Sequence, residues 1–179
     1  FIDNSPSSIA RFLLTRKGLS RSAIGDFLGN IKSDLAKNVT RQFMRQLELR
    51  DKEVDDALRL MMSFFQTPGE SQKISHILDE FNYAYVEQNA IRASAQFRNT
   101  DSIMVLCYAI VMLHTDLYNP NIRSTNKMNR DDFVRNLRGT DEGEDMDINL
   151  LYAIYDRIRA EEIRAMPDHT EQVRKIEEH

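Results

Sequence analysis

The run Ile103–Leu113 is eleven consecutive apolar residues, and it constrains the chain more than any other segment. It does not alternate with polar residues, so it is not a half-buried strand. A membrane-spanning helix needs about 20 apolar residues, and this unbroken run is well short of that. As a helix it is apolar on every side, which calls for burial at the centre of a fold. Asp101 opens it and Asn119-Pro120 closes it, because the residue before a proline is steered out of helical backbone. The rest of the chain must supply what covers it.

Every other periodic stretch is helical too. Ile9, Phe12 and Leu13 follow a Ser-rich start suited to capping. Ser20 precedes Ile24, Phe27 and Leu28, and Gly29-Asn30 stops that segment. Leu35, Val39, Phe43, Met44 and Leu47 share one face. Asp51 is expected to open a helix through Val54, Leu58 and Phe65. Ile74, Ile77, Leu78, Phe81 and Tyr85 line the next, and Phe133 and Leu137 mark a short one closed by Gly139. Asp147 opens the last, with Leu151, Ile154 and Ile158 inward. The expected fold class is all-α.

With 179 residues the chain fits one domain with a sizeable core. A net charge of −4 gives no support to nucleic-acid binding. The lone Cys107 lies in the apolar run and reads as a buried, reduced thiol of a cytosolic protein. The start, Phe1-Ile2-Asp3-Asn4, shows no signal peptide, and a first residue other than Met suggests a piece of a longer protein. Residues 1–163 are expected to form the domain, and 164–179, mostly polar from Pro167 on, to begin a linker.

Two segments carry chemistry. In Thr67-Pro68-Gly69-Glu70, Thr67 and Glu70 have capping-box spacing, with Pro68 suited to a first helical position. The same carboxylate could instead protrude from a Pro-Gly loop and enter a partner's phosphate site. The second segment is the run itself. Met104, Tyr108, Val111, Met112 and Thr115 have helical spacing and need not face the same way as Ile103, Leu106, Ile110 and Leu113. That stripe is either core or the lining of a groove.

Other chemistries are not supported. In a calcium loop begun at Asp141, the sixth and twelfth positions hold Met146 and Tyr152 in place of Gly and Glu. The acidic run Asp141–Asp145 reads instead as a solvated loop before a helix. The four histidines lie far apart without zinc-ligand spacing, so no metal is expected. No Gly-rich phosphate loop or Ser nucleophile elbow is present, and no cofactor is expected.

Thr67–Ile74, Leu106–Asn121 and Phe133–Gly139, within a match from about Ile9 to Ile163, resemble the Sec-seven family, exchange factors for Arf small GTPases. Ser7–Asn30, Gln96–Asn99, Gly143–Asp145, Asp168-His169 and Gln172-Val173 are most similar to the branch carrying an IQ motif and a PH domain, the brefeldin-resistant Arf exchange factors. The resemblance implies a right-handed superhelix of about ten helices. It implies that Glu70 is a finger pushed toward the β-phosphate and Mg2+ site of Arf, supported by Thr67, Pro68, Gly69, Gln72 and Lys73. It places Met104, Tyr108, Val111, Met112, Asp116 and Asn119 in a groove that holds the GTPase switches. Two positions depart from the family pattern: His114 stands where Asn is usual, and Gln66 where a basic residue is usual. Tyr108, Asp116 and Met128 fit the pattern of brefeldin-sensitive members, whereas Ala109 does not.

The expected function is therefore guanine-nucleotide exchange on GDP-bound Arf through a nucleotide-free complex, without covalent chemistry. Recruitment from the cytoplasm to the plasma membrane or endosomes would depend on flanking domains outside this sequence. The rival expectation is a helical module that binds Arf or another partner without exchange.

Overall fold

The computed structural model describes residues 4–167, so Asp168, His169, Gln172, Val173 and most of the expected linker lie outside the described residues. Nine α-helices and one 3-10 turn follow in order: α1 Pro6–Thr15, α2 Arg21–Leu28, α3 Asp34–Arg45, α4 Val54–Met62, α5 Ser71–Gln88, α6 Ala90–Gln96, α7 Asp101–Tyr118, the turn Ser124–Asn126, α8 Arg130–Asn136 and α9 Ile148–Ala160. No strand occurs among the described residues, so the chain is all-α. It divides into two compact units. The first takes the chain up to Leu49, Arg59–Tyr85 and the chain from Arg164, and the second takes Arg50–Leu58 and Val86–Ile163.

In the first unit, serines set the helix starts. Ser5, Ser20 and Ser33 accept from the backbone N–H groups of Ser8, Ala23 and Ala36 at 3.3, 3.1 and 3.1 Å. Each bond satisfies a donor that has no partner inside its helix. α1 packs on α3. Phe43 of α3 meets Phe64 and Phe65 edge-on, with ring centroids 6.3 and 5.9 Å apart. Thr40 is fully buried and donates its hydroxyl to the Leu28 carbonyl at 2.8 Å, tying α3 to the end of α2.

In the second unit, α7 packs against α8 and α9. Ile103, Leu106, Cys107, Ile110 and Leu113 are fully buried, and burial pushes the Cys107 thiol pKa far up. By length and a mean hydropathy of 1.3, the 18-residue α7 could cross a membrane, unlike the unbroken run within it. A third of its residues are buried, along one face. Asp55, buried at the start of α4, receives both nitrogens of an Arg157 fork at 2.7 Å, which raises the Arg157 pKa.

Two local expectations change, and one helix is new. Asp51 does not open α4: it sits in left-handed backbone at φ 62°, its N–H donates to the Asn89 side chain at 2.8 Å, and the helix starts at Val54. Asp is among the few residues that tolerate that conformation. The short α6 was not visible as a separate period. The acidic run is not wholly solvated, because Asp141 is buried and accepts from the Arg98 N–H and the Ser102 hydroxyl. That carboxylate joins the loop to the first turn of α7.

Candidate functional site

The loop before α5 holds Glu70 in the first unit. α5 begins at Ser71, and the Glu70 carbonyl accepts from the Lys73 and Ile74 N–H groups at 3.1 Å. Glu70 is thus the residue before the helix, not its third position. The capping-box expectation for Thr67 and Glu70 fails, as does Pro68 as a first helical residue. The Glu70 side chain is 75% exposed, and its carboxylate lies 3.4 Å from the Lys73 ammonium. A negative charge is favourable at this end of a helix.

The base of the loop is fixed on α2. The Gln66 N–H donates to the Arg21 carbonyl at 3.0 Å, and the Arg21 guanidinium donates to the Phe64 carbonyl at 2.9 Å. The approach is so close that a Cβ on Gly25 would stand 1.9 Å from the Gln66 carbonyl oxygen. One turn on, a Cβ on Gly29 would stand 2.8 Å from Cβ of Lys73. Pro68 is buried, Thr67 and Lys73 are half-buried, and Gln72 is exposed. A Cβ on Gly69 would meet no atom within 4 Å, so the tip beside Glu70 is open. The result is a carboxylate held outward on a loop with a clamped base.

In the second unit, α7 presents two apolar faces. At about 100° per residue, Met104, Tyr108, Val111, Met112 and Thr115 fall opposite the buried set. Met104, Tyr108 and Val111 are half-buried, and Met112 is 66% exposed. Val105 is 41% exposed on the same side. It was missed in the sequence, although its spacing to Tyr108 and Met112 was a signal.

The polar end of α7 is tied within the chain. Asp116 accepts from the Met128 N–H at 2.6 Å, which joins two of the positions in the brefeldin-sensitivity pattern. Asn119 ends α7, and its side chain accepts from the Asn121 N–H at 2.9 Å. His114 does not share the exposed stripe. Its Nε2 accepts from the Ile163 N–H at 3.0 Å, and its ring lies 5.1 Å from that of Tyr118. The Tyr118 hydroxyl reaches the Ile158 and Arg159 carbonyls at 2.8 Å. His114 and Tyr118 therefore fasten the chain after α9 to α7. No cluster of potential metal ligands occurs among the described residues.

The family described as the Sec7 domain matches residues 1–163. The chain belongs to the Sec7 domain family. It is 38% identical over 167 residues to brefeldin A-inhibited guanine nucleotide-exchange protein 2 of Arabidopsis thaliana, covering 93% of this chain and 9% of that protein. It is 38% identical over 167 residues to cytohesin-2 of Mus musculus, covering 93% of this chain and 40% of that protein. The chain thus spans less than half the length of either relative. Among solved structures, the Sec7p catalytic domain superposes with a TM-score of 0.81 at 34% identity, over 90% of this chain and 82% of that one. A Sec7 domain solved with ARF1-GDP and brefeldin A superposes with a TM-score of 0.81 at 32% identity, over 99% of this chain and 81% of that one. These matches agree with the all-helical fold.

Proposed function

We propose that this Sec7 domain is a guanine-nucleotide exchange factor for an Arf-family GTPase. Glu70 carries the reading: its carboxylate is 75% exposed beside an open loop tip, while the loop's base is clamped. A relative named as a nucleotide-exchange protein and a solved neighbour with ARF1-GDP support the same activity and partner. In this reading Glu70 enters the phosphate and Mg2+ site of the GTPase, repels phosphate and offers its cationic groups another anion. The exposed face of α7, from Met104 to Met112, takes the displaced switch segments, with Asp116 and Asn119 at its end. No covalent bond is made. The domain binds the nucleotide-free state more tightly than the nucleotide-bound states and so speeds passage between them.

The finer parts of the proposal rest on sequence resemblance. They are membership in the IQ-motif and PH-domain branch, a linker from 164 on, and recruitment from the cytoplasm to plasma membrane or endosome by flanking domains. Roles in vesicle traffic, endocytosis and actin remodelling belong with them. The test is release of labelled GDP from purified Arf isoforms with and without this chain. Accelerated release on at least one isoform is expected. Tight binding without faster release would leave a binding module instead.

A further inference from the structure

We propose that Lys127 is a positioning residue for exchange, holding the polar end of α7 in the shape that meets the GTPase. This rests on the exchange reading above. The last carbonyls of any helix have no partner inside it. At the end of α7, the half-buried Lys127 ammonium donates to the carbonyls of Asp116, Leu117 and Asn119 at 3.3, 2.6 and 2.9 Å. A cation at this position also suits the negative end of the helix. The next residue is held from both sides. Its N–H donates to the Asp116 carboxylate at 2.6 Å, and its carbonyl accepts from the Tyr155 hydroxyl of α9 at 2.8 Å. Asn129 then caps α8 in a reciprocal box with Asp132.

This arrangement has a functional consequence because Asp116 and Asn119 are two of the residues assigned to the groove. Their backbone is fixed by one ammonium, and the Asp116 side chain is oriented by the residue beside it. Lys127 itself lies in the loop between the turn Ser124–Asn126 and α8, where no periodic pattern marks it. The ammonium supplies three donors from one point, which a neutral side chain cannot do. Without it, three carbonyls would compete for water and the end of α7 would fray.

The experiment compares Lys127→Met, Lys127→Gln and Lys127→Arg in GDP release from Arf, with the melting temperature of each variant measured alongside. In this proposal Asp116 and Asn119, at the end of the groove, already engage GDP-bound Arf before its switches are displaced, and Glu70 acts later on the bound nucleotide. Lys127→Met is therefore expected to raise KM for Arf about tenfold and to change kcat less than about twofold. Lys127→Arg keeps a cation and is expected within about threefold of wild type in KM. If Lys127→Met does not fold, Lys127→Gln decides: a raised KM at near-normal kcat supports the role, and an unchanged KM overturns it. The role is also overturned by wild-type kinetics in folded Lys127→Met, or by a loss confined to kcat. A KM rise in Lys127→Arg equal to that in Lys127→Met likewise overturns it. Wild-type activity with unaffected Lys127 variants defeats this proposal alone, whereas an inactive wild-type domain defeats the exchange reading with it.

Discussion

Single atoms decide how the loop before α5 is held. A Cβ on Gly25 would lie 1.9 Å from a backbone oxygen of Gln66, and backbone cannot swing aside as a side chain can. Gly25→Ala is therefore expected to destabilise the fold by about 1–3 kcal/mol, the usual cost of overpacking. Denaturant unfolding checks this. A midpoint equal to wild type would mean that α2 and the loop are not in this contact. The opposite faces of α7 make a second test. Leu106 is fully buried, so Leu106→Asp should cost more than about 3 kcal/mol. Met104 is only half-buried, so Met104→Asp should cost markedly less while impairing Arf binding more than tenfold. Equal losses of stability in the two variants would put Met104 in the core.

Helices and their ends show how far the sequence could be read. The apolar periods of α1, α2, α3, α5, α7 and α9 were legible because each buries one face, and serines marked the starts of α1 and α2, whereas the Ser33 cap of α3 emerged only in the structure. Glu70 could be read two ways, because its spacing from Thr67 imitated a capping box. The correct start of α5 depends on Gln66 lying against Gly25, a contact 41 residues away in sequence that no local pattern encodes. The roles of Asp141, His114 and Lys127 were hidden for the same reason, since each bonds across a gap in the chain. α5 also carries a pH-dependent element. Burial sets the His76 pKa below its ordinary value, Lys37 and Arg41 push the same way, and Glu80 and Asp79 oppose them. The fold thus favours neutral imidazole. Its contribution is present above the unfolded value of about 6.5 and is lost as pH falls through that value toward the folded one. Between about pH 7 and 5.5, wild type should lose more melting temperature than His76→Gln. Parallel acid limbs would refute this assignment.

At the scale of the molecule, the first unit carries an outward carboxylate at Glu70, and the second carries an exposed apolar face on α7. Fold class was readable because the apolar run needed helical cover, and the family match from 1 to 163 agrees with it. The division into two compact units was not readable, because α4 and α5 each carry residues of both and their periods run through without a break. The central claim is that Glu70 serves a partner and not its own helix. Its most direct test is GDP release from Arf by wild type and Glu70→Lys, with thermal unfolding and binding to GDP-loaded Arf measured on the same preparations. The account predicts that release falls to the unstimulated rate while the melting temperature stays near wild type and GDP-loaded Arf is still bound. Release at the wild-type rate, or a loss that follows the fraction unfolded, would contradict it.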